Sequence, residues 1–100
     1  MKIERFEDIR AWQQARELAN LVYDLTEQGN FSRDFRLRDQ IQGAAGSIMH
    51  NSAEGFDDGS DAEFIHFLKY ARCSASEVQS ENYLALDRKY ISDEETTRLK

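Results

Sequence analysis

The chain has 100 residues, of which 40% are hydrophobic and 11% aromatic, as expected of one soluble globular domain rather than a disordered segment. Its formal net charge of −6 excludes the overall basic excess that is typical of nonspecific binding to DNA or RNA, so such binding would need a local basic patch. No apolar run reaches the roughly 18 residues of a membrane helix, no signal-peptide segment opens the chain, and one cysteine cannot form an internal disulfide. We therefore expect a single cytoplasmic domain over residues 1–100, without a membrane partner.

The first predicted helix runs from about Glu7 to Gln28. Its apolar residues recur at alternating spacings of four and three, which places them on one face of a helix. This stripe consists of Ala11, Ala15, Leu18, Val22 and Leu25. The pair Gly29-Asn30 that follows is typical of a helix stop.

The second predicted helix runs from about Arg33 to Glu54, with Ser32 as its N-cap and Gly55 at its end. Its stripe consists of Leu37, Ile41, Ala44 and Ile48. Glu54 is unexpected there, because a carboxylate at a helix C-terminus faces the negative end of the helix dipole. We therefore expect Asn51 and Glu54 to bond to the connection between helices two and three, or to a neighbouring subunit.

The third predicted helix is the longest, from about Asp61 to Ile91, and Ser60 with Glu63 forms a capping box at its start. Its stripe consists of Phe64, Phe67, Leu68, Ala71, Ala75 and Val78. A second capping box, Ser92-Asp93-Glu94-Glu95, predicts a fourth helix, of which only Thr96 to Lys100 are left. Long helices joined by short connections predict an all-α, antiparallel up-and-down four-helix bundle with a short fourth helix.

Two surfaces predict contact between subunits. Gly43 and Gly46 lie inside helix two, where each costs about 1 kcal/mol relative to alanine. Together with Ser47 they lie away from the apolar stripe, which indicates close approach of another backbone; the alternative is a helix that tolerates them without purpose. Near the end of helix three, apolar residues that include Tyr83 and Tyr90 surround the helix, as is typical of a helix shared with a partner.

A second group of residues is basic and could contact an anionic partner such as RNA. Its members are Arg33, Arg36, Arg38, Lys69 and Arg72. The three arginines occupy the first turns of helix two, where the helix dipole disfavours cations, and the other two lie together on helix three, away from its core stripe. The alternative is a solvated face with local ion pairs, such as Asp34 with Arg38 at the i,i+4 spacing.

One motif in the sequence has the spacing of a catalytic metal site. Glu63-Phe-Ile-His66 has the Glu-x-x-His spacing of carboxylate-bridged di-metal bundles, and a homodimer could supply two copies. On a helical wheel, however, both side chains fall away from the core stripe, whereas the ligands of such a site point inward. The acidic stretch with Asp57, Asp58 and Asp61 lacks the ligand pattern of a calcium loop. We therefore expect no catalytic residue, metal or cofactor, and keep the metal-binding enzyme as the alternative.

Three stretches together resemble a known family: FEDIRAWQQARELANLVYDLT, LRDQIQGAAGSIMHNSAEGF and SDAEFIHFLKYARCSASEVQSENYLA. They are similar to the four-helix-bundle proteins encoded in intervening sequences of bacterial large-subunit ribosomal RNA genes, a family that includes the accessory variability determinant of diversity-generating retroelements. The resemblance extends from Phe6 to about Leu99, and the run from Asn51 to Gly55 is among its sharpest parts.

The resemblance implies a ring-like homopentamer with no catalytic residue, metal or cofactor. The family's fourth helix is several turns long, and this sequence departs from it in having a short one. The accessory determinant binds a reverse transcriptase and nucleic acid through a basic surface, and a role with RNA is suspected for the intervening-sequence members. We therefore expect a non-enzymatic, pentameric scaffold or interaction protein that associates with itself and with RNA or a reverse transcriptase.

Overall fold

The computed structural model describes residues 4–57 and 60–99, which form four α-helices and two 3₁₀ turns. In chain order the elements are a 3₁₀ turn at Phe6–Asp8, α1 at Arg10–Thr26, a 3₁₀ turn at Gly29–Arg33, α2 at Phe35–Asp57, α3 at Asp61–Asp87 and α4 at Asp93–Leu99. The predicted all-α class with a short fourth helix is confirmed. Within the described residues, no helix has the length and apolar character that a membrane crossing requires.

Helix α2 is the central element, because both α1 and α3 pack against it. Contacts between α2 and α3 pair their residues in reverse order: Ser47 bonds to Ser74, whereas Asp34, just before α2, bonds to Tyr90, just after α3. These two helices therefore run in opposite directions. The up-and-down course of the whole bundle stays a prediction.

The core follows the predicted stripe most closely in α2, where Leu37, Ile41, Ala44 and Ile48 are all buried. In α1, Ala15, Val22 and Leu25 are buried too. In α3 the burial is uneven, because Ala71, Val78 and Ala85 are buried while the larger side chains near its start are only half-buried. These half-buried side chains are Phe64, Phe67 and Leu68.

Of these three side chains, Leu68 lines an open groove of about 660 Å³. The groove is lined by Leu18 of α1, Leu68 of α3 and Leu99 of α4. The side-chain amide of Gln79 donates a 2.9 Å hydrogen bond to the Leu99 carbonyl, which fixes α4 against α3. A helix of seven residues covers only part of the apolar surface between α1 and α3.

The predicted start of α2 was wrong by two residues. Asp34, and not Ser32, is the N-cap, since its Oδ1 accepts a 3.1 Å hydrogen bond from the Leu37 backbone N–H. The Ser32 hydroxyl instead donates to the carbonyl of Gly29 within the 3₁₀ turn. Helix α1 also ends earlier than predicted, at Thr26.

Gly55 does not end α2, which continues to Asp57. A Cβ at Gly55 would lie 2.7 Å from Cβ of Phe67 and 3.3 Å from the Phe64 carbonyl oxygen. The glycine is therefore required because α3 crosses α2 closely at this point. A helix stop and a close crossing both favour glycine, and only the tertiary structure distinguishes them.

Helix α3 ends at Asp87, four residues before the predicted end, and Lys89 then adopts a positive φ of 63°. At its start, the Ser60 hydroxyl accepts the Glu63 N–H as predicted. The capping box of α4 is complete: the Ser92 hydroxyl accepts the Glu95 N–H at 3.1 Å, and the Glu95 carboxylate accepts the Ser92 N–H at 2.8 Å. The second box thus explains why a helix of only seven residues begins at Asp93.

Candidate functional site

A shallow cleft of about 620 Å³ lies where the start of α2 meets the chain that follows α3. We call it the arginine–aromatic cleft, and it is lined by Asn30, Arg33, Asp34, Phe35, Arg36 and Tyr90. Arg33 and Arg36 are both exposed. The structure therefore brings two of the predicted basic residues together with two aromatic side chains.

The cleft is fixed by a hydrogen bond between two distant parts of the chain. The Tyr90 hydroxyl donates to Oδ2 of Asp34 at 2.9 Å, and the Tyr90 ring stacks on the buried Phe31 with centroids 5.2 Å apart. The Leu37 N–H and the Tyr90 hydroxyl hold the pKa of Asp34 below its usual value, and Arg88 and Arg36 lower it further. The same bond raises the pKa of Tyr90. Asp34 thus carries its charge at neutral pH as a structural group that caps α2.

Arg38 lies beside the cleft, and its side chain forms hydrogen bonds with nearby residues of the same segment. Its guanidinium donates to the Ser32 carbonyl and to Asp39, both at 3.1 Å, and lies 4.8 Å from the centroid of the Phe35 ring. The i,i+4 pair of Asp34 with Arg38 was therefore the wrong local pair, because Arg38 pairs with Asp39 and Asp34 caps the helix.

Lys69 and Arg72, the other two predicted basic contacts, are exposed on α3 but far from the cleft. Lys69 lies about 27 Å along the helix axis from Asp87, the end of α3 that adjoins the cleft. Arg72 lines the groove between α1 and α3 instead. The five predicted basic residues therefore do not form one surface.

Asn51 and Glu54 have different surroundings. The Asn51 amide donates to the carbonyl and the hydroxyl of Ser47, at 2.9 and 3.0 Å, so it bonds within α2. Glu54 is exposed in the last turn of α2, with no hydrogen bond or ion pair inside the described ranges 4–57 and 60–99. The connection expected to receive these bonds includes residues 58 and 59, and with them Asp58 of the acidic stretch; these lie outside the described residues.

The predicted subunit contacts differ in their surroundings within the chain. Apart from its chain neighbours and the backbone of its own helix, a Cβ at Gly43 or at Gly46 would have no described atom within 4 Å. Ser47 instead lies between helices, where its hydroxyl accepts from Ser74 at 3.0 Å. Tyr83 is half exposed, whereas Tyr90 is partly buried in the cleft. Packing within the chain therefore gives no reason for glycine at 43 or 46.

Glu63 and His66 are both exposed on α3, and the His66 ring packs edge-on against Tyr70 with centroids 4.7 Å apart. Among the residues that the structure describes, no three His, Cys, Asp or Glu side chains come together as a group that could hold a metal ion. A metal site shared across a dimer stays the untested alternative.

Sequence reasoning missed two features. Phe35 and Arg88 belong to the cleft region, yet Phe35 and Tyr90 are 55 positions apart, so no local pattern connects them. Glu81 is 8% exposed, and neither of its carboxylate oxygens has a donor within the described residues. Burial, and then the charge of Glu77 one turn earlier, raises its pKa to about 7. Glu81 lies three residues after Val78, at the edge of the predicted α3 stripe, and this position was the sequence signal that could have indicated its burial.

A comparison with models of known protein families finds a match, whereas a search of curated proteins finds none. The family model that matches is that of the 23S rRNA-intervening sequence protein, over residues 7–100. The match covers all four α-helices and the arginine–aromatic cleft. The chain therefore belongs to the 23S rRNA-intervening sequence protein family.

Proposed function

We propose that the protein is a non-enzymatic, homo-oligomeric interaction protein that assembles as a pentamer. The observation that carries this proposal is the exposure of large apolar side chains on α3. Ile65, Tyr70, Tyr83 and Leu84 are 55%, 52%, 50% and 50% exposed. Single exposed apolar residues are common, but four on one helix of a small domain favour a covered surface.

The arrangement of these residues suits a ring. At 100° per residue, Ile65 and Tyr83 share one line along α3, and Tyr70 and Leu84 lie about 100° to 140° away on the other flank of the helix. A five-membered ring needs two different patches, one meeting the other on the next subunit, whereas a twofold dimer needs a single self-complementary patch. Two apolar flanks on one helix therefore support a ring, and the resemblance supplies the number five.

The first test is the solution mass, by size-exclusion chromatography with light scattering. We expect five times the 11.6 kDa of one chain. Leu84→Glu and Tyr83→Glu should each give monomers with unchanged helicity, since both side chains are half exposed in the single chain. A 1:1 mixture of the two variants should give dimers, because each retains the flank that the other has lost. A wild-type monomer, or variants that stay assembled, would contradict the proposal.

A second candidate function, association with RNA, is favoured by the arginine–aromatic cleft. Arg33 and Arg36 flank it, and Arg88 is close enough to influence Asp34. This end of the molecule thus concentrates positive charge in a chain of net charge −6. Association with a reverse transcriptase is the narrower form of this proposal and rests on the resemblance alone.

RNA association is tested by binding of a fluorescein-labelled RNA hairpin with a single-stranded loop across a salt series. Phosphate contacts predict an affinity that falls steeply as salt rises. Arg33→Gln and Arg36→Gln should weaken binding and reduce the salt slope, whereas Lys69→Gln, on the far part of α3, serves as the matched control. Binding that is absent at low salt, or that only the control weakens, would reject the cleft as the RNA surface.

A further inference from the structure

Phe35 is the most exposed large apolar side chain in the described part of the molecule, at 64%. Its ring nevertheless has a fixed neighbour. The Arg38 guanidinium lies 4.8 Å from the ring centroid and is itself held by the Ser32 carbonyl and by Asp39. Phe35 is thus an aromatic surface that is already positioned at the start of α2 and still open to solvent.

The charges around this ring favour an anionic ligand. Arg33 and Arg36 line the same cleft as Phe35. The one acidic side chain that lines it, Asp34, accepts hydrogen bonds from the Leu37 N–H and the Tyr90 hydroxyl. Its negative charge is therefore partly satisfied within the protein, and the two arginines remain exposed toward the cleft.

We propose that Phe35 stacks against an unpaired base of single-stranded RNA, while Arg33 and Arg36 contact the flanking phosphates. The inference rests on the RNA association proposed above and names the form of RNA that the cleft takes. An aromatic face beside cations binds single-stranded nucleic acid because every unpaired base offers a face for stacking. In a duplex stem the bases stack on one another, so their faces are not available to Phe35. An acidic protein surface would contact the two arginines but would make no use of the exposed Phe35 ring.

The test compares three probes on the full chain: a 12-nucleotide oligouridylate, a blunt RNA duplex of the same length, and an oligoglutamate peptide of matched charge. We expect oligouridylate to bind most tightly. Phe35→Leu keeps an apolar side chain but removes the aromatic face, and should weaken oligouridylate binding about 5-fold or more. Phe35→Trp should retain binding, and its added fluorescence should be quenched by oligouridylate. Tyr23→Leu, which removes another exposed aromatic ring, is the matched control.

The outcomes separate the two proposals. If Arg33→Gln and Arg36→Gln weaken RNA binding but Phe35→Leu does not, the stacking proposal is overturned and the RNA association stands. If the duplex or oligoglutamate binds as tightly as oligouridylate, single-strand recognition is overturned too. If the wild-type chain binds neither RNA at low salt, both proposals fail. Circular dichroism establishes that each variant is folded before binding is compared.

Discussion

The hydroxyl of Tyr90 lies 2.9 Å from Oδ2 of Asp34, so a side chain beyond the end of α3 holds the residue that caps α2. We expect Tyr90→Phe to lower the free energy of unfolding, because a hydrogen bond to a charged group is lost. Urea denaturation followed by circular dichroism measures the change. Tyr23→Phe is the control, since the hydroxyl of Tyr23 has no partner in the described residues. Equal stability of the two variants would show that the Tyr90 bond contributes nothing.

Gly55→Ala should destabilise the protein although alanine is the better helix former. The new methyl group would lie 2.7 Å from Cβ of Phe67, so α2 and α3 must move apart. Overpacking of this kind costs about 1–3 kcal/mol, which exceeds the gain of about 1 kcal/mol in helix propensity. Thermal unfolding checks the sign. A rise in the midpoint temperature would mean that the crossing adjusts without cost.

Gly43→Ala and Gly46→Ala should have the opposite effect on a single chain. Apart from its chain neighbours and the backbone of its own helix, a Cβ at either position would meet no described atom within 4 Å, so each change should stabilise the helix by about 0.5–1 kcal/mol. The measurement is best made in the Leu84→Glu background, which should be monomeric. In the assembled wild-type background the same changes should weaken association, because a close backbone approach needs glycine. Alanine variants that assemble as tightly as wild type would remove these glycines from the subunit contact.

Glu81 makes stability depend on pH. Its pKa rises from 4.5 to about 7 on folding, so the folded chain binds more protons than the unfolded chain between these values. The free energy of unfolding should therefore fall as pH rises from about 4.5 to 7, and then level off. Asp34 acts in the opposite sense and in a different window, because its lowered pKa gives stability that is complete above 3.8 and is lost below it.

Glu81→Gln should flatten this pH profile and raise stability at pH 8 by about 1–3 kcal/mol, because the neutral amide does not carry the negative charge that burial and Glu77 disfavour. Glu77→Gln removes the neighbouring charge but leaves Glu81 buried, so it should move the decline to lower pH without abolishing it. Urea denaturation at pH 5, 6, 7 and 8 distinguishes the two variants. An unchanged profile for Glu81→Gln would assign the pH dependence to other groups.

Much of the fold could be predicted from the sequence because its signals are local. The apolar residues of α2 recur every three or four positions, and the capping box of Ser92 and Glu95 marks the start of α4. The predicted helix ends were less accurate. Ser32 and Asp34 are both good N-cap residues, and Asp34 caps α2 because Ser32 lies within the 3₁₀ turn at Gly29–Arg33. Gly55 was assigned to a helix stop because its real neighbour, Phe67, is distant in sequence.

The candidate site was only partly predictable. Arg33 and Arg36 were identified because cations at a helix start are unusual. The contribution of Phe35 depends on where Arg38 places its guanidinium, and that of Tyr90 depends on how α3 ends. The burial of Glu81 depends on side chains of other helices. Each of these is a tertiary relationship, which the periodicity of a single helix does not contain.

The central place of α2 also bears on how the chain folds. Both neighbours pack on α2, whereas the groove separates much of α1 from α3. The hairpin of α2 and α3 is joined by a short connection and needs little loop closure, so we expect it to form first during folding. Amide protons of α2 and α3 should then exchange only through global unfolding, while those of α1 should also exchange when α1 detaches from an intact hairpin.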